Sequence, residues 1–445
     1  MTHALPDHGI LQTSASCGPN FGLALRSHPA TGSYAADPDV VAVIEGYPNW
    51  SDPALSEIAK TGGHAKALIA AYKGKKIALF DALHGAFSFA VIDLSTQKAV
   101  CAIDRFGIQT LCHAQPSSEL TVFGSTTDSV RAHPKVGSTV AIQAIYDYLY
   151  FVDRVPAPET IYREQRKLAP AEYLFMEPGR AAVASYWQMP YRSDVPTDRA
   201  AAAEELRCRL RGAVKANLVA EDAAHVGAFL SGGLDSSSIV AVAASLLPQK
   251  LSTFTIGFSV EGFDEAYYAD IAAKQFKTEH HTYYLQPEDL LDILVKAAKI
   301  YDEPFGNSSF IPAYHCARLA KEAGIEMMLA GDGGDELFAG NKRYVNDRIF
   351  DYYRALPSLL TNGLLEPTAG RLSFARNAGP FGKILRYIEL AKKPVPERMT
   401  DNVFRVLPPE SIFAADALAE IDTKAPQELI ARIYDAPRDA SKLQR

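Results

Sequence analysis

The chain has 445 residues, of which 48% are hydrophobic and 22% charged, so it can form two ordinary domains and lacks the composition of a disordered protein. A formal charge of −7 excludes the basic surface that nucleic-acid binding requires, and no apolar run is long enough to predict a membrane span. Its five cysteines have no C-x-x-C spacing, which excludes a disulfide framework and a zinc site, and we expect a soluble cytoplasmic protein.

The first part of the chain predicts a sheet-rich layered domain over residues 1–190. Short apolar segments alternate there, most clearly at Val40–Ile44, Gly85–Asp93 and Ala99–Ile103, which is typical of half-buried strands. Between the first two segments, apolar residues at three- and four-residue spacing predict one helix over Pro53–Tyr72.

A connector leads to the second part of the chain. Helical spacing at Ala144–Phe151 is followed by a hairpin pattern over Leu168–Trp187. The polar stretch Ser193–Asp198 is typical of a linker, and either of its last two residues can cap the alanine-rich helix predicted over Arg199–Leu218.

Strands alternate with helices from Val226 onward, which predicts a doubly wound parallel sheet in a second domain over residues 196–445. The predicted strands are Val226–Leu230, Leu251–Phe258, Glu279–Leu285 and Glu326–Ala330, and the predicted helices are Ser237–Leu247, Glu265–Gln275, Pro287–Ile300 and Ile311–Ala323. Ligands of such sheets bind at the carboxyl ends of the strands. The segments after Leu230 and Ala330 are therefore candidate site loops.

The first candidate loop is Ser231-Gly-Gly-Leu-Asp-Ser236. Gly232 and Gly233 let the backbone approach a ligand closely, and the free N–H groups at the start of the next helix favour an anion. Ser231 and Ser236 add hydroxyl donors, while Asp235 supplies a carboxylate that suits Mg²⁺. The G-x-x-x-x-G-K-[ST] pattern of γ-phosphoryl transferases is missing, so we predict another kind of phosphate site.

The second candidate loop is Ala330-Gly-Asp-Gly-Gly-Asp-Glu-Leu-Phe338. Because both loops follow strands of one parallel sheet, we expect them to face the same crevice. Asp235 and Asp335 are then the predicted Mg²⁺ ligands, since carboxylate and phosphate oxygens suit the octahedral shell of this ion. The alternative is that each aspartate only caps a helix N-terminus.

Both loops, together with Tyr301-Asp-Glu-Pro-Phe305, closely resemble the synthetase domain of the asparagine synthetase family. Upstream, Ala86-Phe-Ser-Phe-Ala90 and Asp104-Arg-Phe-Gly-Ile108 resemble signatures of the glutamine amidotransferase domain that precedes it in that family. The resemblance implies an α/β fold, with an N-terminal Ntn-type αββα layered domain and a C-terminal ATP pyrophosphatase domain built on a doubly wound parallel sheet.

The resemblance also implies roles for individual residues. ATP is expected to bind Leu230, Ser231, Gly232, Gly233, Asp235, Ser236, Ile256, Ala330 and Gly331. Mg²⁺ is expected on Asp235 and Asp335, which with Asp332 form the implied catalytic set. Asp332 stands where family members place a Glu or a Tyr that assists removal of a proton from the attacking amine, and the shorter Asp side chain is a departure. The family order also implies that Tyr301–Ser309 lies near the carboxylate substrate.

The catalytic residues of the amidotransferase domain are missing from the matching positions. The family's N-terminal cysteine nucleophile falls on His8, its glutamine-binding Asn-Gly pair on Glu45-Gly46, and its glutamine-binding aspartate near Gly62–His64. A rival alignment uses Cys17-Gly18, which would become terminal if the residues before it were removed. We expect a retained scaffold without glutaminase activity.

The chain also departs from the family after Arg343. The R-x-P-x-L-D segment and the K-x-x-L-R element are not found there, although the lysine of the second element neutralises the intermediate and pyrophosphate in family members. Either the chain is a fragment of a longer protein, truncated at its C-terminus, or it is a shortened member without that lysine. We favour the fragment.

The predicted function is an ATP-dependent amide ligase that releases AMP and pyrophosphate. Its substrates would be a small-molecule or peptide carboxylate and either ammonia or an amine of the substrate itself. Relatives without the terminal cysteine include β-lactam synthetases and lasso peptide cyclases, so a macrolactam-forming cyclase is the first alternative. A catalytically silent nucleotide-binding scaffold is the alternative of another class. A monomer and a homodimer are both compatible with the sequence.

Overall fold

The computed structural model describes residues 11–152, 154–191, 198–218, 225–260, 264–357, 388, 390–392, 395, 403–405 and 407–436. The chain divides into two compact units. Unit 1 comprises Met1–Pro190, Leu291–Asn307 and Phe413–Ile421, and unit 2 comprises Tyr191–Leu290, Ser308–Ile412 and Asp422–Arg445. His8 and most of the predicted linker lie outside the described residues. Within the described ranges, every helix is too short or too polar to cross a membrane.

Antiparallel strands dominate unit 1, as the alternating apolar segments predict. The strands are β1 (Gln12–Gly18), β2 (Phe21–Ser27), β3 (Gly32–Ala36), β4 (Val40–Trp50), β5 (Leu83–Asp93), β6 (Lys98–Ile103), β7 (Cys112–Ser117), β8 (Leu120–Gly124), β9 (Arg166–Lys167), β10 (Glu172–Glu177) and β11 (Arg180–Ser185). Six of them form one sheet in the order β11-β10-β6-β5-β4-β3, while β8-β7-β9 and β1-β2 form smaller sheets.

Each face of the six-stranded sheet covers its own hydrophobic core. The helices of this unit's first 190 residues are α1 (Pro53–Gly62), α2 (His64–Lys75), α3 (Thr127–Arg131) and α4 (Ile142–Phe151), with a 3₁₀ helix at Lys76–Asp81. Val40 and Ile44 of β4 join the core under α1 and α2, whereas Val41 and Val43 join the opposite core, which also contains Leu23 of β2. This alternation along β4 builds a helical layer, a sheet and a second β layer.

A glycine divides the helix that was predicted over Pro53–Tyr72. Gly63 has a φ of +88°, and its N–H donates to the carbonyl of Ala59, so α1 ends at Gly62 and α2 begins at His64. Apolar spacing continues through the break because both helices pack on the same core, and periodicity alone therefore predicted one helix.

A buried aspartate organises the segment that resembles the family's Asp-Arg-Phe-Gly signature. Asp104 is fully buried, and its carboxylate accepts backbone N–H groups from Phe106 (3.0 Å), Ile108 (3.1 Å), Gln109 (2.9 Å) and Phe87 (3.4 Å). The guanidinium of Arg105, the next residue, donates to the carbonyls of Leu83 (2.7 Å) and Phe80 (2.8 Å). The signature is therefore a structural element of unit 1.

Asp93, at the end of β5, carries a carboxylate with a strongly lowered pKa. It accepts hydrogen bonds from Ser95 Oγ (2.7 Å), Thr96 N (3.1 Å) and Lys76 Nζ (3.3 Å). Burial acts to raise the pKa of Asp93, but these bonds outweigh burial and lower that pKa from 3.8 to about 2. The folded state therefore holds the ionised form more tightly than the unfolded chain does.

We expect this carboxylate to link the stability of unit 1 to pH. Because the folded-state pKa lies below the unfolded-state value, its contribution is complete above about pH 4 and is lost as the pH falls toward about 2. We compare the free energy of unfolding of the unmodified chain with that of Asp93→Asn. The part of this difference that depends on pH should reach about 2.5 kcal/mol. Urea unfolding followed by tryptophan fluorescence measures it, because both tryptophans of the chain, Trp50 and Trp187, belong to unit 1.

The matched control for this prediction is Ser95→Ala, which keeps the carboxylate and removes its shortest hydrogen bond. The free energies of unfolding of Ser95→Ala and of Asp93→Asn should therefore still differ in a pH-dependent way, with the same sign but a smaller size. A difference between the unmodified chain and Asp93→Asn that stays constant between about pH 5 and about pH 3 would contradict the link.

Unit 2 contains a four-stranded parallel sheet, which confirms the predicted doubly wound core. Its strands are β12 (Val226–Phe229), β13 (Ser252–Phe258), β14 (Glu279–Leu285) and β15 (Met327–Leu329), in the order β14-β13-β12-β15. The remaining described helices of the chain are α5 (Arg199–Asn217), α6 (Leu234–Leu246), α7 (Ala266–Phe276), α8 (Pro287–Ile300), α9 (Phe310–Glu322), α10 (Gly334–Phe338), α11 (Lys342–Arg354), α12 (Ala415–Ala419) and α13 (Ala425–Asp435), with 3₁₀ helices at Val403–Arg405 and Pro409–Ser411.

Helices cover both faces of this sheet. Ala228 of β12 packs in one core with residues of α5, α6 and α7, while its neighbour Phe229 packs against the other core, which contains Phe254 of β13 and Cys316 of α9. Because neighbouring residues of one strand point to opposite faces, the strand ends are the exposed part of the sheet, and the candidate loops lie there.

Candidate functional site

Hydrogen bonds to β13 hold the backbone of Leu230, where the first candidate loop begins. The N–H of Leu230 donates to the carbonyl of Phe254 (3.0 Å), and the Thr255 hydroxyl donates to the carbonyl of Leu230. Helix α6 begins at Leu234, earlier than the predicted Ser237, so Asp235 belongs to its first turn. Among the described residues no side chain caps this helix, and its first N–H groups are open to an anion.

Gly232 gives this loop its shape. Its φ is +79°, and a Cβ atom there would lie 2.5 Å from the carbonyl carbon of Tyr268 and 2.6 Å from the nitrogen of Ala269, in the first turn of α7. The hydroxyls of Ser231 and Ser236 lie 3.0 Å apart, and Ser236 Oγ also accepts the N–H of Ser231 (3.2 Å). The loop therefore presents a fixed hydroxyl pair beside the helix N-terminus.

The second candidate loop is in contact with the first. Strand β15 pairs with β12 in parallel register, with Ala228 beside Leu329, so the two loops leave the sheet side by side. A Cβ atom at Gly331 would lie 2.8 Å from the carbonyl carbon of Asp235, and one at Gly334 would lie 2.5 Å from the Asp235 Cγ. The glycines of the second loop thus make room for this aspartate, and the two loops are in contact.

Three carboxylates of these two loops have no partner among the residues that the structure describes. Asp235 is half-buried, Asp332 and Asp335 are exposed, and none forms a hydrogen bond or ion pair within the described part of the chain. Gly340 lies against Asp335, because a Cβ atom there would be 2.4 Å from its Oδ1. Two carboxylates on touching loops fit Mg²⁺ if phosphate oxygens supply further ligands. The described residues contain no group of three or more His, Cys, Asp or Glu side chains that could hold a metal alone.

Two protein-family models match this chain. A family model for asparagine synthase matches residues 205–432, which is more than half of the chain. The chain belongs to the asparagine synthase family. A second model, for a glutamine amidotransferase domain, matches residues 54–187. Both matches confirm the family that the sequence motifs indicate.

Several known proteins are similar to this chain over part of their length. A putative glutamine-hydrolysing asparagine synthetase 2 of Methanocaldococcus jannaschii is 31% identical, over 68% of this chain and 58% of the relative. Glutamine-hydrolysing asparagine synthetase 1 of Bacillus subtilis is 28% identical, over 69% of this chain and 48% of the relative. The amidase chry2 of Gibberella zeae is 24% identical over 73% and 50%. The chain spans about half the length of these relatives.

Sequence reasoning missed Asp264, which joins the end of β13 to the start of α7, the helix that packs against the first candidate loop. Its carboxylate accepts the N–H of Ala266 (3.1 Å), at the start of α7, and the N–H of Phe258 (3.4 Å), at the end of β13. Helix α7 is the element that packs against Gly232. An aspartate two residues before a helix is a capping signal that could have indicated this role.

Two carboxylates of the Tyr301–Phe305 motif have partners inside unit 1. The Asp302 carboxylate accepts the N–H and the hydroxyl of the fully buried Thr127, and Glu303 accepts the N–H of Ile161 (2.8 Å) and pairs with Lys167 Nζ (2.6 Å). Both carboxylates therefore form hydrogen bonds within unit 1, and that of Glu303 also forms an ion pair there. The expectation from family order, that Tyr301–Ser309 lies near the carboxylate substrate, stays a prediction.

We expect the Glu303–Lys167 ion pair to stabilise unit 1, because each side chain is only 16% exposed. Glu303→Gln and Lys167→Met should each lower the free energy of unfolding by about 2 kcal/mol, with a coupling energy of about 1–2 kcal/mol in the double variant. Tryptophan fluorescence during urea unfolding gives all three values.

The exposed pair Glu159–Arg166 is the control for this cycle. Its atoms lie 2.9 Å apart, but its side chains are 40% and 46% exposed, so a coupling energy below about 1 kcal/mol is expected. Equal coupling energies in the two pairs would show that the Tyr301–Phe305 motif is not held by its buried charge.

The family's glutamine-binding aspartate is expected to fall near Gly62–His64. In this segment His64 Nδ1 accepts the indole N–H of Trp50 (3.2 Å), and burial lowers the pKa of the His64 imidazole. The rival nucleophile Cys17 lies inside β1, paired with Gly22 of β2. Removing the residues before it would delete most of β1, and the structure therefore disfavours the Cys17-Gly18 alignment.

Proposed function

We propose that this chain is an ATP-dependent carbon–nitrogen ligase, which activates a carboxylate as its adenylate and transfers the acyl group to an amine or ammonia. The observation that carries the proposal is the contact between the two loops, which brings unpartnered carboxylates beside an uncapped helix N-terminus. Membership of the asparagine synthase family supports the same class of reaction.

The first step requires the triphosphate of ATP to be held and its charge neutralised. The first N–H groups of α6 and the hydroxyls of Ser231 and Ser236 are suited to phosphate oxygens. Asp235 and Asp335 would hold Mg²⁺, whose charge offsets the negative charge that develops on pyrophosphate. A substrate carboxylate oxygen then attacks the α-phosphorus, and the bond from this phosphorus to the bridging oxygen breaks as pyrophosphate leaves.

The second step forms the amide. The nitrogen of ammonia or of an amine attacks the acyl carbon, the bond from that carbon to the AMP oxygen breaks, and the nitrogen loses a proton. Asp332, exposed and unpartnered on the second loop, is the base that we propose for this proton. Its position next to Gly331 keeps it on the loop that contacts Asp235.

An isotope experiment tests the adenylation step. The chain is incubated with ATP, Mg²⁺, ammonia and candidate acids whose carboxylates carry ¹⁸O, and we expect AMP and pyrophosphate in equal amounts with one ¹⁸O atom in AMP. Asp235→Asn and Asp335→Asn should each lower pyrophosphate release at least a hundredfold. Asp332→Asn should retain exchange of pyrophosphate into ATP but lose amide formation. Release of ADP and phosphate would contradict the proposal.

Two other functions give different results in the same experiment. A macrolactam-forming cyclase would release pyrophosphate with a substrate that carries both the acid and the amine, and would not need ammonia. A nucleotide-binding scaffold would bind ATP without releasing pyrophosphate with any acid tested. The unpartnered carboxylates favour an enzyme, because a scaffold has no need of them.

We also propose that unit 1 has no glutaminase activity. The family's glutamine-binding Asn-Gly pair is expected to fall on Glu45-Gly46 and its glutamine-binding aspartate near Gly62–His64, a segment without a carboxylate. Incubation with glutamine in the absence of ATP should therefore release no glutamate above the rate of a buffer blank. Steady release that disappears in Cys17→Ala would restore the rival alignment.

A further inference from the structure

Strand β11 forms one edge of the six-stranded sheet in unit 1. It pairs with β10 in regular antiparallel register along its whole length, and within the described ranges β10 is its one neighbouring strand. Four of the six residues of β11 are exposed, among them Val183 at 43%. The edge of a sheet presents unpaired backbone groups that a further strand can bind.

The hydrogen bonds of the sheet identify the unpaired backbone groups of β11. Tyr186, directly after this strand, donates its N–H to the carbonyl of Ala171, which precedes β10. Because bonded and non-bonded pairs alternate along an antiparallel ladder, Ala182 and Ala184 also bond toward β10. The backbone groups of the three alternate residues therefore point away from the sheet, and no described residue hydrogen-bonds to them. These residues are Ala181, Val183 and Ser185.

Strand β11 lacks the features that usually prevent a sheet edge from pairing. Its sequence has no proline and no lysine, and its register with β10 shows no bulge. Arg180, at the first position, is charged, and the residues that follow it in the strand are uncharged. Because like charges on opposed residues would repel a further strand, this edge is suited to strand addition.

The order of side chains along β11 favours a second copy of the same strand. Ala182 and Ala184 are the neighbours of Val183 on its two sides. The next residues outward, Ala181 and Ser185, are also small. A two-fold axis through Val183 therefore opposes small side chains to small side chains, and it brings the outward backbone groups of both strands together.

We propose that β11 pairs with β11 of a second copy of this chain, antiparallel and with Val183 opposite itself. This register forms about six backbone hydrogen bonds and joins the two sheets into one. Arg180 lies opposite Tyr186 of the second copy, so like charges do not meet. Strands this short bury less surface than a standard interface, and a weak dimer with a Kd of about 10–100 µM is expected. The dimer requires neither ATP nor the proposed ligase activity.

Sedimentation equilibrium of the full chain, without nucleotide, tests for this dimer. A monomer–dimer equilibrium is expected between about 5 and about 200 µM protein. Val183→Pro should raise the Kd at least about tenfold, because it removes an outward N–H and leaves the hydrogen bonds to β10 in place. Val183→Thr is the matched control, since it keeps that N–H and the β-branched shape, and its Kd should stay within about twofold of the unmodified chain.

Disulfide cross-linking tests the register even if tryptophan fluorescence shows that Val183→Pro does not fold. The background is Cys17→Ser with Cys208→Ser, which removes both exposed cysteines. Val183→Cys should form a covalent dimer on mild oxidation, since residues of a hydrogen-bonded pair have Cα atoms about 5.5 Å apart. Arg180→Cys is the control: its two copies would lie about 20 Å apart, so it should cross-link far less although the Arg180 side chain is 70% exposed.

Three results would overturn the proposal. They are a monomer at every concentration, an unchanged Kd in a folded Val183→Pro, and equal cross-linking at the two cysteine positions. In a monomer, amide hydrogen exchange at Val183 and Ser185 would identify the true state of the edge. Slow exchange would show that another segment of this chain covers β11, and fast exchange would show that the edge is open to a different protein; each contradicts pairing between copies.

Discussion

Replacing Gly232 with alanine should reduce the affinity for Mg²⁺–ATP at least tenfold and lower the free energy of unfolding of unit 2 by about 3 kcal/mol. Two independent effects add at this position. A φ of +79° is strained for alanine, and the new Cβ would lie 2.5 Å from the backbone of Tyr268, which cannot move without shifting α7. The phosphate loop must therefore move away from the uncapped end of α6.

Gly324→Ala separates the two effects. Gly324 has a φ of +80°, which matches the strain at Gly232, but nothing lies within 4 Å of a Cβ atom there. We expect a loss of about 1 kcal/mol in stability and an ATP affinity within twofold of the unmodified chain. Titration of ATP in the presence of Mg²⁺ by calorimetry compares the variants, and similar losses of ATP affinity in both would contradict the role of the loop contact.

The parallel sheet and its site loops could be predicted because several local signals agree there. Apolar runs bounded by glycine, serine and aspartate mark β12 and β15 directly, and the carboxyl-end rule then brings the two loops together. Asp235 shows the limit of this reasoning, since α6 begins at Leu234 and includes it. Helix starts depend on backbone geometry at Gly232 and Gly233 that residue patterns do not fix.

Long-range contacts explain most of what sequence reasoning missed. Asp302 and Glu303 lie between two helices of the second half of the chain, yet their partners are Thr127, Ile161 and Lys167. No local pattern predicts partners so far away in sequence. Strands β3, β7 and β9 were missed for a related reason, since they are short or polar and depend on pairing with neighbours. Strand β2 was also missed, although its leucines alternate as in a half-buried strand.

Asp104→Asn should be among the most destabilising single substitutions in unit 1, with a loss of about 3–5 kcal/mol. The Asp104 carboxylate divides four backbone donors between its oxygens: Oδ1 accepts from Phe106 and Ile108, and Oδ2 accepts from Gln109 and Phe87. An asparagine keeps one oxygen, so its NH₂ group must face two N–H donors at a fully buried position.

Tryptophan fluorescence reports this change directly, because the ring of Trp187 lies 5.7 Å from that of Phe106 in the same segment. Asp37→Asn is the control, since Asp37 Oδ1 also accepts two backbone N–H groups, at 2.9 Å each, but in a more exposed turn. A loss below about 1 kcal/mol is expected there, because the asparagine oxygen can keep both donors and the ion pair of Asp37 with Lys73 is partly exposed. If both variants lost the same free energy, burial would not be what makes Asp104 essential to the fold. The Asp-Arg-Phe-Gly segment would then need a functional explanation in place of a structural one.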